Sequence, residues 1–382
     1  MSIRVSKPAV NLREKLSEID IPTTGSHGSQ LMKSVDASES FDLVRAGRKN
    51  MIINGQMWIN QRYGTSSATI PDSSGGTYAL DRWAVNEATD GAVSVNMDGD
   101  PPNYPETGAG EFQKAMQVAC TGTDTSLAST QNLHFFQNIE GYNTAHLEWG
   151  TAKAKSVTLS FWVKTNNKGV YAVGLENNGT DRCCIREFHH DGSHTWQKFS
   201  LTYPGCPDGT WLKTNGCGIR VRFCLASGSQ YDDGKDGEWV SSDELTAGRQ
   251  TNFMSSTNNR FFITGVQLEE GNVATSFEYR PYPEEYSLCA RYFWRLTAGD
   301  ANNNLTTGPR WCYNIWNNLS YVRATIVFPV PLRALPSVVN IDLTDTGNQS
   351  GVQFNGTHST TIYVNSPGQI TSVNNVWINA EL

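Results

Sequence analysis

This sequence has few charged side chains: Asp, Glu, Lys and Arg make up 18% of its 382 residues, and the formal net charge is −7 at pH 7. The Lys and Arg residues are dispersed and form no basic block. A chain with this balance has no electrostatic attraction for nucleic acid or for an anionic membrane surface. We therefore expect neither nucleic acid nor a membrane as a partner.

Long apolar runs are absent as well. No stretch approaches the length of a membrane span, and the residues from Met1 to Asn11 lack the apolar segment of a secretory signal. We therefore expect the chain to be made and first folded in a cytoplasm.

The cysteines show no metal-binding pattern, because none belongs to a C-x-x-C pair and no nearby His completes a zinc site. Reduced cysteine is among the most buried residue types, so we expect free thiols inside the protein. A disulfide, for example between Cys206 and Cys217, would contradict this expectation. The eight cysteines are Cys120, Cys183, Cys184, Cys206, Cys217, Cys224, Cys289 and Cys312.

Motifs of common enzyme classes are also missing. The sequence contains no G-x-S-x-G run, no phosphate-binding loop and no dinucleotide fingerprint. Its densest polar cluster, His189-His190-Asp191 with His194 close by, would suit a metal site or part of a catalytic triad. Because no nucleophile lies at a readable spacing, we favour a loop or surface cluster. We expect neither catalytic activity nor a cofactor.

One acidic, Gly-rich stretch contains Asp232, Asp233 and Asp236. Hard cations such as Ca²⁺ are bound by several loop carboxylates, so this stretch is a weak candidate for a metal site. It does not match an EF-hand, and we favour a solvated turn.

The chain is rich in Gly, Asn, Ser, Thr and aromatic residues, and it contains strand-like runs without a long helix between them. This pattern predicts an all-β protein with a jelly-roll or β-sandwich central domain. Residues 157–164 alternate, so Val157, Leu159, Phe161 and Val163 should share one face. The other predicted strands are 51–62, 112–118, 133–139, 170–175, 195–202, 218–225 and 260–268, then 324–330, 337–343, 351–354, 360–364 and 375–378.

The first fifty residues differ from the rest. Residues 11–19 predict a short helix with Leu12, Leu16 and Ile19 on one face, and residues 36–46 predict a second helix with Phe41 and Val44 as its apolar positions. Helices this short are marginal alone, so their apolar faces need a surface to lie on. That surface is either their own domain or another protein, and we favour another protein.

Aromatic residues in the predicted loops are the candidates for a ligand site. Trp211, Tyr231 and Trp239 could stack on sugar rings while nearby Asn and Asp bind hydroxyls. The alternative is that these rings plug the end of the sandwich or lie in a subunit interface. Four other tryptophans are predicted to lie on strands in the core: Trp58, Trp83, Trp162 and Trp196.

Five motifs in a fixed order resemble a family of tailed-bacteriophage virion proteins and the jelly rolls of carbohydrate-binding modules. They are GRKN with INGQMWINQR (47–62), YALDRW (78–83), SFWVK (160–164), TWQ (195–197) and GVQLEEGNVATSFEYRPY (265–282). The resemblance covers about residues 45–285 and implies three parts: a virion-docking arm (1–50), a jelly roll (51–283) and a small C-terminal β-domain (284–382).

The resemblance also implies a location in the virion and a homotrimeric assembly. We expect a tail fibre or similar appendage that docks on other virion proteins through its arm and displays a surface for a host glycan. The alternatives are a head-decoration or head-fibre protein with an assembly role and, less favoured, an enzyme that degrades surface glycans.

Overall fold

A computed structural model of the chain describes residues 29–33, 41–45, 48–71, 73–97, 112–297, 321–345, 350–354, 356–365 and 370–382. These residues form 21 strands and only short helices, so the prediction of an all-β protein is confirmed. No helix within these ranges is long and apolar enough to cross a membrane.

The central part is a jelly-roll sandwich of two antiparallel sheets. The first has the strand order β14 (Trp239–Val240), β11 (Cys183–His190), β10 (Gly169–Glu176), β13 (Cys217–Ser227), β8 (Asn132–Glu140), β5 (Trp83–Ala88) and β4 (Ser73–Leu80). The second has the order β12 (Gln197–Tyr203), β9 (Val157–Thr165), β15 (Arg260–Glu270), β7 (Met116–Gly122), β6 (Ala92–Asn96) and β3 (Ala68–Ile70). Most sheet neighbours are distant in sequence, as a jelly roll requires.

The core lies between these two sheets. Val157, Leu159, Phe161 and Val163 are all buried in it, which confirms the predicted alternation of β9. Large rings from both sheets meet at the centre; Phe223 of the seven-stranded sheet contacts Phe161 of the six-stranded sheet at a centroid distance of 5.1 Å. Burying a side chain of this size stabilises the fold by about 1.5–3 kcal/mol.

Residues 51–62 were predicted as a strand, and this prediction is wrong. The segment is a buried irregular loop, in which Asn54 and Met57 adopt φ angles of 58° and 56°. The amide of Asn54 explains the difference: its Oδ1 accepts from the N–H groups of Trp58 and Ile59, and its Nδ2 donates to the carbonyl of Asp81. The hydrogen bonds of this one polar side chain therefore fix the turn at residues 54–59.

The two ends of the jelly roll meet beside β15 in a group we call the entry–exit junction: Asn50, Glu278, Arg280 and Glu285. Glu278 accepts hydrogen bonds from the N–H groups of Lys49 and Asn50, and Arg280 donates to the carbonyls of Asn50 and Ile52. Arg280 also pairs with Glu278 and Glu285. Residues of the GRKN and EYRPY motifs therefore join the start of the jelly roll to its end.

The described part of the arm differs from its prediction. β1 (Ser29–Lys33) and β2 (Phe41–Arg45) pair as an antiparallel hairpin, so the predicted helix over 36–46 is wrong at 41–45, where Phe41 and Val44 lie in β2. The run FDLVR suits a strand once a partner strand is available, and a helix of that length is marginal. The predicted helix over 11–19, with Leu12, Leu16 and Ile19, lies outside the described residues.

The C-terminal part is a small β-unit, as predicted. One three-stranded sheet has the order β16 (Phe293–Thr297), β21 (Ile370–Asn379) and β18 (Ser337–Asp345), and another has the order β17 (Tyr321–Val327), β20 (Ser359–Asn365) and β19 (Ser350–Phe354). β16 was not predicted. The helices are α1 (Gly141–Thr144) and α2 (Tyr282–Ala290), with 3₁₀ turns at Ala145–Leu147, Ser229–Tyr231 and Phe253–Ser255.

The last residues of the chain return to the jelly roll. Glu381 forms ion pairs with Arg62 and Arg82, and all three side chains are buried. The Arg82 guanidinium also lies 3.6 Å from the ring centroid of Tyr292. The carbonyl of Leu382 accepts from Tyr78 Oη at 3.0 Å. This group, which we call the C-terminal latch, ties the C-terminal unit to the turn between β4 and β5.

Candidate functional site

The outer face of the six-stranded sheet carries aromatic side chains. Because inward positions on β9 are Val157, Leu159, Phe161 and Val163, Trp162 and Lys164 point outward. The register pairs Trp162 with Lys198 of β12 and Lys164 with Phe262 of β15. Residues directly opposite each other in an antiparallel pair share a face, so these side chains meet outside the core.

We call this group the aromatic–lysine patch: Trp162, Lys164, Trp196, Lys198 and Phe262. The Lys164 ammonium lies 5.0 Å from the ring centroid of Phe262 and 5.7 Å from that of Trp196, and the Lys198 ammonium lies 6.0 Å from that of Trp162. Trp162 is half-buried and Lys198 is exposed, so both are within reach of a ligand. These are cation–π contacts between an ammonium and a ring face.

A bulge in β15 makes room for the rings beside the patch. The register shifts between Thr264 and Gln267, and Gly265 in the bulge adopts a φ of +63°. A Cβ on Gly265 would come within 2.6 Å of the Phe112 ring and 3.1 Å of Trp162. Both the backbone angle and the close approach require glycine here.

The aromatic surface continues past this bulge. Phe112 lies edge-on to Phe277 at a centroid distance of 5.0 Å and is stacked with Tyr279 at 5.9 Å. The Tyr279 ring is 48% exposed. The rings of the patch and these three further rings therefore form a strip on the outside of the sheet, and they are not part of its core.

One polar group in the patch has no partner. Trp196 is 7% exposed, and its Nε1–H makes no hydrogen bond within the described residues. A buried donor without an acceptor costs about 1–3 kcal/mol.

Two of the three predicted sugar-binding aromatics lie together, but away from this patch. Trp211 and Trp239 contact each other at a centroid distance of 5.5 Å, and Trp149 contacts both, at 4.6 Å and 5.3 Å. Each indole N–H donates to a backbone carbonyl of the protein. Trp211 is 8% exposed, so a ligand would reach chiefly Trp239, which is half-buried.

The third predicted aromatic, Tyr231, lies apart from those two. It packs at the edge of a separate apolar cluster formed by Ala172, Cys183, Ile185, Cys224 and Leu245. The structure thus does not bring Trp211, Tyr231 and Trp239 into one site. Their role in binding a sugar stays a prediction.

The acidic stretch after Tyr231 is engaged with its surroundings. Asp236 Oδ1 lies 3.1 Å from Arg186 Nε and accepts a hydrogen bond from the N–H of Glu187, while the N–H of Asp233 donates to Glu244 Oε2. Asp232 is the third residue of the stretch that was a weak candidate for a metal site. Within the ranges that the structure describes, no group of three or more ligand-type side chains is arranged to hold a metal ion.

His190 is the buried member of the histidine cluster, at the end of β11. Its Nδ1 accepts a hydrogen bond from the N–H of Gly192 at 3.0 Å, so its Nε2 carries the proton and donates to the carbonyl of Thr195 at 3.2 Å. Burial lowers the pKa of His190 and favours this neutral form, although the Thr195 carbonyl opposes the shift. The ring closes the loop that leads into Trp196, which is a structural role.

A pocket of ≈ 310 Å³ lies beside the entry–exit junction. Two of its cationic side chains form ion pairs, Arg48 with Glu284 at 2.7 Å and Arg280 with Glu278 at 2.9 Å. The ammonium of Lys49 donates to Thr275 Oγ1 and to the carbonyl of Ser276. Its lining includes Arg48, Lys49, Tyr142, His146, Arg280 and Leu288.

The thiols lead to a simple prediction. All seven cysteines that the structure describes are buried and unpaired, and burial raises the pKa of Cys184 to about 12 and that of Cys206 to about 11. Because the thiolate is the reactive form, we expect the native protein to titrate at no more than one thiol with Ellman's reagent. In guanidinium without a reductant it should titrate at eight. Two or more reactive thiols in the native protein, or fewer than eight after unfolding, would contradict this.

The patch could have been found from the sequence. The alternation that assigned Val157, Leu159, Phe161 and Val163 to the core places Trp162 on the opposite face. The prediction that Trp162 lies in the core did not apply this alternation. Trp83 and Trp196 are buried as predicted, although Trp196 is buried outside the sandwich. Trp58 is half-buried and lies in the irregular loop instead of a strand.

No family model matches the chain, and no curated protein matches its sequence. Among solved structures, the enzymatically active domain of tailspike protein 4 from bacteriophage CBA120 is similar at 12% identity, over 58% of this chain and 21% of that chain, with a TM-score of 0.31. The family 11 carbohydrate-binding module of a Clostridium thermocellum cellulosomal cellulase is similar at 11% identity, over 57% of this chain and 99% of the module, with a TM-score of 0.26. The N-terminal cellulose-binding domain of Cellulomonas fimi β-1,4-glucanase C has a TM-score of 0.24 at 11% identity, over 55% of this chain and 93% of that domain. Because these scores are low, the jelly-roll assignment rests on the two sheets themselves.

Proposed function

We propose that this chain is a structural protein of a tailed-phage particle, a tail fibre or similar appendage that presents its jelly roll to a glycan on the host surface. The aromatic–lysine patch is the observation that supports the glycan contact. The five motifs that resemble phage virion proteins support the assignment to a virion.

Outward aromatic rings on a sheet call for an explanation, because the solvent face of an antiparallel sheet is usually polar. A half-buried indole such as Trp162 offers a flat apolar face to the C–H groups of a sugar ring, and neighbouring Ser and Lys side chains can bind its hydroxyls. Ser160 and Ser200 are paired across β9 and β12 directly beside Trp162 and Lys198.

We propose binding without cleavage. Glycoside hydrolysis needs a pair of carboxyl groups that flank the scissile bond. Glu176 and Asp243, which approach each other on the outer face of the seven-stranded sheet, are instead held by arginines: Glu176 by Arg220 at 2.7 Å and Asp243 by Arg222 at 2.6 Å. The patch itself has no carboxylate.

The remaining parts of the proposal concern assembly. The hairpin of β1 and β2 pairs with no other described strand, and a two-stranded hairpin is marginal by itself, which supports docking of the arm on other virion proteins. In the C-terminal unit, Val327 and Leu335 are 73% and 67% exposed. Such apolar side chains would suit a contact between copies of the chain, and we propose a homotrimer.

Adsorption of phage to host cells tests the glycan contact. A phage that carries Trp162→Ala is expected to adsorb at least ten times more slowly than the parent, because the variant loses the stacking face. Tyr142→Ala is the matched control: Tyr142 is 61% exposed and lies outside the patch, so its loss should leave the rate unchanged. Particles must carry the same amount of each variant by immunoblot.

The competing ligand site gives a third variant, Trp239→Ala. If this variant slows adsorption and Trp162→Ala does not, the ligand binds at the Trp149–Trp211–Trp239 cluster. Normal adsorption of both variants would reject a glycan contact through either group of aromatics.

A further inference from the structure

A buried polar group lies between the start of the jelly roll and β15. Lys49 is 7% exposed, and Gln267 and Glu269, both on β15, are 0% and 1% exposed. Lysine and glutamate are rarely buried to this extent in proteins. Independently of the glycan contact, we propose that the Lys49 amine and the Gln267 side chain become joined by an intramolecular amide bond, with Glu269 as the proton carrier.

The backbone holds Lys49 beside Gln267. Asn50, the next residue, donates from Nδ2 to the carbonyl of Val266 at 3.1 Å and accepts at Oδ1 from the N–H of Leu268 at 3.1 Å. These two hydrogen bonds lie on either side of Gln267 in the sequence. Lys49 is therefore held in a fixed register against β15.

The two nitrogen atoms concerned share a hydrogen-bond acceptor. The Lys49 ammonium and Gln267 Nε2 both donate to the carbonyl of Ser276, the second at 3.2 Å. Donors to the same oxygen lie within about 6 Å of each other, because each hydrogen bond is about 3 Å long. The amide carbon of Gln267 is one covalent bond from Nε2, so only a movement of the flexible lysine stem separates the amine from that carbon.

Glu269 contacts both ends of the reaction. Its Oε2 accepts a hydrogen bond from the Thr275 hydroxyl at 2.7 Å, and that hydroxyl oxygen accepts from the Lys49 ammonium at 2.5 Å. Its Oε1 accepts from Gln267 Nε2 at 2.9 Å. One carboxylate can thus take a proton from the amine, through the hydroxyl, and deliver a proton to the amide nitrogen.

The backbone polarises the amide carbonyl. Gln267 Oε1 accepts a hydrogen bond from the N–H of Glu278 at 2.8 Å. Negative charge develops on this oxygen when the amine adds to the carbon, and a backbone N–H that is already in place stabilises that charge. Burial of the group also keeps water, the competing nucleophile, away from the amide.

The reaction needs no further reactant. The bond from Lys49 Nζ to Gln267 Cδ forms, the bond from Cδ to Nε2 breaks, and the former amide nitrogen leaves as ammonia. Of the two protons that the ammonium gives up, one leaves on the ammonia and the other remains on Glu269, whose charge it neutralises. The product would join the end of the arm to β15 by a covalent bond.

The intact mass of the full chain, measured after unfolding, tests the proposal. We expect a mass lower than the sequence requires by one ammonia molecule, and a tryptic peptide in which Lys49 is joined to Gln267. Lys49→Arg keeps the positive charge but lacks the amine, so it should restore the full mass. Glu269→Gln should restore it too, because the proton carrier is lost. Lys155→Arg is the matched control: Lys155 pairs with Glu270, the neighbour of Glu269, and its replacement should leave the mass deficit unchanged.

The full mass in the parent chain would overturn the proposal and leave a hydrogen-bonded cluster without a covalent bond. A deficit that persists in Lys49→Arg would also overturn it, and its loss in Thr275→Val would then identify an ester of the Thr275 hydroxyl. Cyclisation of an Asn-Gly pair such as Asn178-Gly179 loses the same mass, but it gives no peptide that contains both Lys49 and Gln267. A joined peptide that still forms in Glu269→Gln would overturn the role of Glu269.

Discussion

Replacing Glu381 with Gln is expected to lower the free energy of unfolding by about 3–5 kcal/mol, the usual cost of removing one partner from a buried ion pair. The side chains of Glu381, Arg62 and Arg82 are 3%, 7% and 1% exposed. Burial by itself lowers the pKa of Arg82, but Glu381 together with Tyr292 and Tyr78 more than offsets this and raises the pKa, so the guanidinium stays charged. Without the carboxylate, two buried cations would remain close together. Urea unfolding followed by tryptophan fluorescence measures the loss.

Glu284→Gln is the matched control, because it removes the same charge from an ion pair at the surface. Arg48, its partner, is 64% exposed, and such pairs contribute about 0–1 kcal/mol. If Glu381→Gln destabilises the protein no more than Glu284→Gln, the latch does not stabilise the jelly roll.

The latch illustrates what the sequence could not predict. Arg82 and Glu381 are separated by 299 positions, and no local pattern marks them as partners. Strands such as β9, β13 and β15 were predictable, by contrast, because each presents its own alternation or its own β-favouring run. The strands β11 and β16 were not predicted. The segment 51–62 misled the prediction because its residues suit a strand, whereas the hydrogen bonds of Asn54 decide its shape.

The candidate site was only partly predictable for a related reason. Alternation along β9 identifies Trp162 as outward. Its neighbour across the sheet depends on how the strands pair, and β12 brings Lys198 opposite Trp162 although the two are more than thirty residues apart in sequence. Loop aromatics such as Trp211 and Tyr231 were attractive because loops are usually exposed. Here the loops fold back on the sandwich and bury them in part.

Removing residues 1–47 is expected to abolish incorporation into virions while the rest of the chain stays folded. The proposed docking surface lies in this arm, so particles grown with the truncated chain should contain none of it by immunoblot. Light scattering should still give the mass of three protomers, because the proposed trimer contact lies in the C-terminal unit. Incorporation at the level of the full chain would contradict docking through the arm.

A second truncation makes this experiment sharper. A chain that begins at Met51 also loses Asn50, whose amide donates to the carbonyl of Val266 and whose Oδ1 accepts from the N–H groups of Ile52 and Leu268. It should therefore unfold at lower urea than the chain that begins at Arg48. If the two truncated proteins are equally stable, residues 48–50 belong to the arm and not to the jelly roll.

The entry–exit junction has a mechanical consequence. Since Asn50 and Glu278 are joined by a hydrogen bond of 2.8 Å, the chain enters and leaves the sandwich at nearly the same point. Tension applied between residue 48 and helix α2 would cross the contacts of Glu278 and Arg280 and bypass the strands that carry the aromatic–lysine patch. The junction would have to break before the sandwich was stretched, so the patch would keep its shape under load.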